Sequence, residues 1–558
     1  MRIKNRPLKV IGLATVLFLG IATTFTSDHG KYFEIAKNIE IFTNLYKEIN
    51  TSYVDELDPG KLMRIGIDAM LESLDPYTNY IPETKLEEYT FMTTGQYGGI
   101  GALIRQRNGY VMISEIYEGY PAHKAGLLPG DKILEIDGQA LTGKSTAEIS
   151  EFLKGSANST VKLKLERGAG DNAEVLSHEL NREEIKFKDV PYYGMTSDNI
   201  GYIKLTGFTR NASREFKAAF SALKQNNQVK GIVVDLRGNG GGLLNEAVNI
   251  VNTFVDRGQV IVSTKGKYKE KNRDHVTLNA PLDLTIPIAV LVNSGSASAS
   301  EIVAGSLQDL DRGIIVGENT FGKGLVQETV NISYNSLLKV TVAKYYIPSG
   351  RCIQRIDYSH RNEEGEAETV PDSLISEFYS LKNKRALYDG AGILPDIKVE
   401  NDMFSSITHS LLMNSVIFDF ANDYRLRNKE LRDNENFKLS DAEFEQFRTY
   451  VEGIDLDYTT ASQRMLRELE ETAKNEEYFE DAKAEYEALS EKLVLDKMSD
   501  VNKFKDEIVE ILESEIIARY YFQNGRLAHS LKHDQVLIEA SEILMDSTQY
   551  ARILTGQI

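Results

Sequence analysis

The chain has 558 residues and a formal net charge of −19, from 64 basic and 83 acidic side chains. This length suits three or four domains of ~100–200 residues, and the acidic balance excludes the basic stripe that a nucleic-acid partner needs. A single cysteine, Cys352, excludes an intramolecular disulfide and a cysteine-ligated metal cluster.

Residues 1–27 have the layout of a secretory signal, in which basic residues precede an apolar run from Val10 to about Phe25. We therefore expect an exported protein, periplasmic or otherwise extracytoplasmic. No clean small-x-small cleavage site follows, so two alternatives stay open: a cleaved signal peptide, or an uncleaved anchor that tethers the protein to the inner membrane. The apolar run of ~16 residues is short for a ~20-residue membrane span.

Residues 31–93 have a helical pattern, because apolar side chains recur at three- and four-residue steps from Ile35 to Ile49. A Pro-Gly pair at Pro59 separates a second helix, which ends at a proline turn near Pro76. We expect an N-terminal helical region that supplies packing or a dimer surface and no catalytic group.

Residues 95–184 have the pattern of a small β-rich domain. A glycine-rich run, Gly98-Gly99-Ile100-Gly101, and the segment Gly119–Gly138 resemble a PDZ domain. By this resemblance Gly99, Ile100 and Gly101 form the loop that captures a peptide carboxylate, and the adjoining strand edge pairs with an extended peptide. A fixed packing module stays open as the alternative. The capping-box spacing of Ser145 and Glu148 predicts a helix over Ser145–Leu153.

Residues 185–400 alternate strand-like and helix-like segments, which indicates an α/β core. Predicted strands at 199–205 and 231–237 are separated by a predicted helix at 213–223. The run Gly238-Asn239-Gly240-Gly241-Gly242 then precedes a further helix. Its spacing does not fit a phosphate-binding P-loop and fits a dinucleotide fingerprint only loosely. A glycine loop also lets backbone N–H groups approach a substrate carbonyl.

Small residues follow the apolar run 288–292 and predict a strand, a tight turn and a helix. Among the serines of this turn, Ser298 is the one with a glutamate, Glu301, three residues later. This capping-box spacing places a hydroxyl at a helix N-terminus. Free N–H groups and the helix dipole there stabilise a developing oxyanion, so the Ala299 N–H is a predicted oxyanion donor.

A nucleophilic serine needs a base, and none of the eight histidines lies in or near these segments. Lys323 is the candidate, at the entry to a predicted strand over 325–330. On a strand Lys323, Leu325 and Gln327 share one face, so Gln327 is expected to orient the lysine amine. The base must be neutral, which requires a pKa below the ~10.4 of an ordinary lysine. Either segment alone also fits a plain helix cap or an exposed lysine, whereas both together favour catalysis.

Several motifs in this region resemble the carboxy-terminal processing peptidases, the tail-specific protease family; they lie at residues 293–305, 307–309, 317–324 and 326–327. The resemblance implies that Ser298 is the nucleophile, Lys323 the general base and Gln327 its orienting partner. It also implies that the glycine loop supplies a second oxyanion donor, which we assign to Gly241 with Gly240 as the neighbouring alternative. No cofactor and no metal are expected for this mechanism.

The implied architecture is multidomain α/β, with a crotonase-like peptidase core, an inserted PDZ domain and helical regions at both ends. Within the core, residues 355–389 are polar and charge-rich and predict a surface insert. Residues 401–558 become helical and acidic, with an apolar stripe that includes Ile508, Leu512 and Ile516. This tail lies outside the resemblance, which covers about residues 60–400, and we expect an oligomerisation or adaptor-docking module.

Taken together, the sequence predicts an exported serine endopeptidase whose partners are protein substrates with exposed C-terminal tails. The PDZ domain would recognise the tail, and cleavage would follow nearby. Two alternatives stay open: a non-catalytic PDZ scaffold, and an acyl-CoA enzyme whose glycine loop stabilises an enolate. The serine–lysine pair argues against the first and favours peptide hydrolysis over the second.

Overall fold

A computed structural model describes residues 31–558 except 169, 171–172, 226–227, 401–403, 433–436, 457, 494–495 and 558. The predicted secretory signal, residues 1–27, lies outside the described residues. The chain divides into two compact units, of which the first ends at Tyr80 and the second begins at Ile81. Across the described ranges, no helix combines the length and the apolar character that a membrane crossing requires.

The described part of the first unit, residues 31–80, is mainly helical, as the apolar periodicity predicts. It contains helix α1 over residues 31–52, helix α2 over Pro59–Glu72, and the start of strand β1, Asn79–Ile81. The Asp58 carboxylate caps α2 by accepting the Lys61 N–H at 3.1 Å, and Pro59 occupies the first helical turn, where its missing N–H costs nothing.

The second unit opens with a small β-rich domain, and its elements are α3 Leu86–Thr94, β2 Gln96–Gly99, β3 Ala102–Arg107, β4 Tyr110–Ile116, α4 Pro121–Lys124, β5 Lys132–Ile136, β6 Gln139–Ala140, α5 Thr146–Leu153, β7 Thr160–Arg167, β8 Glu174–Asn181 and β9 Glu183–Lys186. The main sheet has the order β3-β4-β5-β7-β8, so β3 lies at its edge. The predicted helix over Ser145–Leu153 is confirmed, with Ser145 and Glu148 closing a capping box.

The α/β core follows, and its elements are β10 Tyr192–Met195, β11 Ile200–Lys204, α6 Ala212–Lys224, β12 Gly231–Asp235, α7 Leu244–Val251, β13 Val260–Gly266, β14 Arg273–Val276, β15 Ile288–Val292, α8 Ala299–Asp309, β16 Ile314–Gly317, β17 Leu325–Asn331, β18 Leu337–Tyr346, β19 Ile356–Arg361, β20 Ala367–Thr369, β21 Glu377–Tyr379, β22 Ala386–Tyr388 and β23 Ile397–Lys398. The six-stranded sheet has the order β10-β11-β12-β15-β16-β23 and is parallel except at β10. In a second, antiparallel sheet, β18 pairs with both β17 and β13, and β13 pairs with β14.

The predicted surface insert is anchored at one point by buried charge. Its four short strands form two antiparallel pairs, β19 with β20 and β21 with β22. However, Arg385 is 6% exposed and pairs with Asp311 at 2.8 Å and Asp396 at 2.6 Å. The insert is therefore attached to the core just beyond the C-terminal end of α8, a contact that its polar composition did not predict.

Nine helices follow in the described part of the tail, namely α9 Ser406–Met413, α10 Val416–Arg427, α11 Asp441–Glu452, α12 Ala461–Asn475, α13 Phe479–Lys492, α14 Lys497–Lys503, α15 Lys505–Ser530, α16 Gln535–Met545 and α17 Ser547–Leu554. The predicted apolar stripe of α15 is buried, with Leu512 and Ile516 packed in one core with Phe420 and Phe447. The α15 helix breaks at Phe522, where φ is 54°, and the Phe522 ring lies 4.7 Å from the ring of His123 in the β-rich domain.

The last two helices belong to the α/β core rather than to the helical bundle. Residues Val536, Leu537, Ala540, Ile543 and Leu544 of α16 and Ile553 of α17 form one buried core with the face of the six-stranded sheet. The Ile288 N–H donates to the Tyr550 hydroxyl at 3.0 Å, which fixes α17 to the start of β15. The tail therefore supplies one of the two layers that cover this sheet.

Candidate active site

The predicted strand, tight turn and helix are confirmed as β15, the turn 293–298 and α8. Ser298 is the N-cap of α8 and has a positive φ of 57°, a conformation that costs of order 1–3 kcal/mol for a non-glycine residue. Ser296 and Ser300 are fully buried, and their hydroxyls donate to the carbonyl oxygens of Leu236 and Asn239 at 2.9 and 2.8 Å. Ser298, by contrast, is only half-buried.

The carboxylate of Glu301 joins the serine turn to the lysine loop. Its Oε2 accepts the N–H groups of Ser298 at 2.8 Å and Lys323 at 2.9 Å, and its Oε1 accepts the Gly322 N–H at 2.7 Å and the Thr320 hydroxyl at 2.6 Å. Complete burial raises the pKa of Glu301, and these four donors act against that rise. One buried carboxylate therefore holds the predicted nucleophile and the predicted base in a fixed relation.

Two further contacts cross between the same segments. The Phe321 N–H donates to the Ser296 carbonyl at 3.0 Å. The Tyr345 hydroxyl lies within hydrogen-bond distance of the carbonyl oxygens of Ser298, at 3.1 Å, and Lys323. Backbone atoms of the serine turn and of the lysine loop are therefore bonded to each other or to the same side chain.

The expected alignment of Lys323, Leu325 and Gln327 on one strand face stays a prediction, because Lys323 precedes the strand. Strand β17 begins at Leu325, and a β-bulge lies between Val326 and Gln327. The register passes from Ala343 to Thr341 at this point, so the extra residue of the bulge is Val342 of β18 and not a residue of β17. The amide of Gln327 donates to the Thr341 hydroxyl at 3.2 Å, while its role as orienting partner of Lys323 stays a prediction.

The glycine loop lies directly against the serine turn. A Cβ atom at Gly241, where φ is 99°, would lie 2.9 Å from the Ser298 Cβ, so only glycine fits. The Gly241 N–H donates to the Asn239 side-chain oxygen at 2.9 Å. The assignment of Gly241 as oxyanion donor therefore requires this bond to exchange for the substrate oxygen. Ala299, the first residue of α8, has an N–H without an intrahelical partner.

A buried cluster of charged side chains lies at the end of β12, next to the glycine loop. Asp235, 1% exposed, accepts the hydroxyl of Tyr202 at 2.7 Å and pairs with Lys204 at 3.2 Å and Arg237 at 2.7 Å. Burial acts to raise the pKa of Asp235, but the positive charges of Arg237 and Lys204 outweigh it and hold that pKa well below its usual range. Asp235 therefore stays ionised at neutral pH.

The predicted carboxylate loop, residues 99–101, joins β2 to the edge strand β3. The Ile100 carbonyl accepts the Ala122 N–H at 2.8 Å. Gly101 has a φ of 75°, and the position that a Cβ atom would take there faces Tyr120. A side chain at Gly101 would lie 2.4 Å from the Tyr120 Cβ, so substitution there would distort the domain itself. The arrangement of a glycine turn beside a free strand edge is the one that peptide capture by strand addition uses.

Some residues of this site were not predicted as such. The sequence predicts Glu301 only as a helix-capping residue, and it indicates no role for Arg237 or Tyr345. Their contacts join segments far apart in the chain, which local spacing does not reveal. The Asn239 contact had a local signal, because asparagine side chains commonly bond the backbone two residues onward. No group of three or more His, Cys, Asp or Glu side chains in the described ranges is arranged to hold a metal ion.

Three parts of the chain match known protein families. Residues 199–359 match peptidase family S41, residues 112–167 match a PDZ domain, and residues 407–544 match the C-terminal helical domain of a probable PDZ-protease. The protein is therefore a serine-type peptidase with a PDZ domain and a C-terminal helical domain.

Individual relatives identify the family. The chain is 36% identical over 349 residues to the carboxy-terminal-processing protease of Bartonella bacilliformis, covering 62% of this chain and 78% of that protein. It is 34% identical over 322 residues to a probable CtpA-like serine protease of Staphylococcus aureus, covering 57% and 62%. A solved structure of the photosystem II D1 C-terminal processing protease is 28% identical, with a TM-score of 0.35, covering 64% of this chain and 92% of that one. The chain belongs to the carboxy-terminal-processing proteases of peptidase family S41.

Proposed function

We propose that this protein is an exported endopeptidase that binds the C-terminal tails of protein substrates at its PDZ domain and cleaves them by a serine–lysine mechanism. The observation that carries the mechanism is the shared acceptor: one oxygen of Glu301 receives the N–H groups of both Ser298 and Lys323. Export is supported by the signal-like residues 1–27, and tail binding by the glycine turn beside the free edge of β3.

In this mechanism the Ser298 Oγ attacks the scissile carbonyl while the neutral Lys323 amine takes its proton. The resulting oxyanion is held by the Ala299 N–H and by an N–H of the glycine loop. When the carbon–nitrogen bond breaks, the lysine ammonium returns a proton to the leaving amine. Water then attacks the acyl-enzyme with Lys323 again as base, which releases the new C-terminus and regenerates Ser298.

The nucleophile is tested by replacing three neighbouring serines in turn. Ser298→Ala should abolish turnover of an unstructured protein and leave the melting temperature nearly unchanged. Ser300→Ala loses one buried hydrogen bond and should cost about 1 kcal/mol of stability, whereas Ser296→Ala loses two, because the Ser296 hydroxyl also accepts the Asn293 N–H at 3.0 Å, and should cost about 2 kcal/mol. Both variants should retain measurable turnover. Loss of turnover in Ser296→Ala or Ser300→Ala, with Ser298→Ala active, would assign the nucleophile elsewhere.

Tail recognition is tested with one peptide sequence made as a free acid and as a C-terminal amide. We expect KM to be higher for the amide and kcat to be similar, because the glycine turn accepts a carboxylate. Equal KM values would exclude tail reading by the PDZ domain. This comparison avoids substitution at Gly101, which would alter the fold.

A further inference from the structure

A carboxylate from the C-terminal helices lies next to the glycine loop. Asp534 is the N-cap of α16. Its two carboxylate oxygens accept hydrogen bonds from the two terminal nitrogens of the Arg237 guanidinium, at 3.0 and 2.5 Å. The side chains of Arg237 and Asp534 are 14% and 15% exposed, so water screens this pair weakly. A guanidinium bound through two parallel hydrogen bonds is fixed in direction as well as in distance.

Arg237 is held on its other side by the strand that leads into the loop. The Asp235 Oδ1 accepts both the Arg237 N–H, at 2.9 Å, and its Nε, at 3.0 Å. The Lys204 amine donates to the Arg237 carbonyl at 3.0 Å. The positive charges of Lys204 and Arg237 are therefore balanced by the two carboxylates, Asp235 and Asp534. Removal of the Asp534 charge would leave one positive charge uncompensated where little water reaches it.

The residues that follow Arg237 are bonded to the serine turn. The Gly238 N–H donates to the Asn293 side-chain oxygen at 2.9 Å. The Asn239 carbonyl accepts the Ala297 N–H at 3.0 Å and the Ser300 hydroxyl at 2.8 Å. A displacement of Arg237 is therefore transmitted to the loop that lies against Ser298.

We infer that Asp534 is a positioning residue for catalysis, which acts through Arg237 to place the oxyanion loop against Ser298. This gives the C-terminal helices a part in the reaction itself, beyond the oligomerisation or adaptor docking that their sequence suggests. The inference rests on the proposed serine–lysine peptidase function. A misplacement of about 1 Å in such a loop is enough to reduce turnover by on the order of 100-fold.

The test is Asp534→Asn in the full chain, measured with a peptide that the wild type cleaves. Asparagine caps a helix as well as aspartate does, so α16 keeps the cap in which Asp534 accepts the Leu537 N–H at 3.1 Å, but the charge is lost. We expect kcat to fall roughly tenfold or more with KM within about twofold, and Asp534→Glu to recover part of kcat. Asp546→Asn is the matched control, because Asp546 caps α17 in the same way but is exposed.

A purely structural role for Asp534 would give a different result. Ala540→Gly destabilises the same helix at a buried position that makes no ion pair. Well below the melting temperatures of both variants, Asp534→Asn must turn over at least about fivefold more slowly than Ala540→Gly. Equal turnover of these two, or a wild-type kcat in Asp534→Asn, overturns the inference. A wild type that cleaves no peptide would instead overturn the proposed function.

Discussion

Glu301 is the side chain on which the relation between Ser298 and Lys323 depends. A carboxylate has two accepting oxygens, and here they receive three backbone N–H groups and one hydroxyl. Because Glu301 is completely buried, no water molecule could accept these hydrogen bonds if the carboxylate were lost. The geometry of the site is thus set by hydrogen bonds to an acid that need not touch the substrate.

Glu301→Gln should therefore be far more harmful than its small change in shape suggests. The amide nitrogen would face N–H donors and leave up to two of them unpaired, at about 1–3 kcal/mol each. We expect a lower free energy of unfolding, measured in urea, and a kcat that falls with little change in KM. Glu148→Gln is the matched control, since Glu148 fills the same capping-box role on the exposed surface of the PDZ domain. Similar losses in the two variants would contradict the role given to Glu301.

The proposed base gives a pH dependence with a definite sign. Only the neutral amine of Lys323 accepts a proton, so kcat should rise with pH through the neutral-to-alkaline range. Lys323→Arg should be inactive although the charge is kept, because a guanidinium is not a base. A rate that stays flat from about pH 6 to 10 with chemistry limiting, or near-normal turnover in Lys323→Arg, would exclude this base.

Asp235, which lies next to the glycine loop, should not distort that profile. The folded pKa of Asp235 lies below its unfolded value of ~3.9, so its stabilising contribution is present above that pH and is lost as the pH falls through the folded pKa. No titration of Asp235 is therefore expected between pH 6 and 10, and changes in rate there report on other groups.

At the scale of elements, helix α15 is broken where it meets the PDZ domain. Phe522 has φ 54° and ψ −155°, a backbone conformation that essentially only glycine adopts freely. Its ring meets His123 and packs against the PDZ core, so the contact compensates the strain. The helical domain and the PDZ domain are therefore in contact at an aromatic residue whose backbone is strained.

Two substitutions at Phe522 separate the strain from the ring contact. Phe522→Ala removes the ring and keeps the strain, whereas Phe522→Gly removes both. We expect the glycine variant to be more stable than the alanine variant by about 1–3 kcal/mol, measured by urea unfolding. An alanine variant as stable as the glycine variant, or more so, would mean that the backbone at this position is not strained.

The sequence predicted the elements better than their connections. Apolar periodicity and turn residues are local signals, and they located β15, α8, α6 and α7. The bulge at Val326 and Gln327 and the bonds of Glu301 to the lysine loop depend on how distant segments pack, which no local pattern encodes. Ser298 was predicted from its helix-capping spacing and Lys323 from its position before a predicted strand, and a family resemblance implied the same roles, which stay predictions. Their supporting residues had no such local signal.

At the scale of the whole molecule, the C-terminal tail is divided between two uses. Helices α12 and α13 pack on each other and bury only Leu466 among their described side chains, whereas α16 and α17 complete the core of the peptidase. The described helices of residues 401–558 therefore contribute to two different cores, although the composition changes at a single point.

Removal of α16 and α17 should cause aggregation, whereas removal of α12 and α13 should leave the peptidase soluble and active. A chain that ends at Ser530 exposes the sheet face under α16 and α17 and loses five large buried side chains, worth about 1.5–3 kcal/mol each. That sum is comparable with the whole stability of a typical domain, so we expect aggregation. Replacement of residues 461–492 by a short flexible linker should leave a soluble, active peptidase. For each variant, light scattering measures aggregation and peptide turnover measures activity. A soluble, active chain ending at Ser530 would contradict the packing of α16 and α17 described above.

The position of α16 along the chain also has a consequence for biosynthesis. The serine turn and the lysine loop leave the ribosome more than 200 residues before Asp534 and the helices that complete the sheet. A nascent chain thus carries Ser298 and Lys323 without the layer that closes the core beneath them. The nascent chain should therefore lack hydrolytic activity until α16 and α17 have been synthesised, which protects the growing polypeptide and its neighbours from early cleavage.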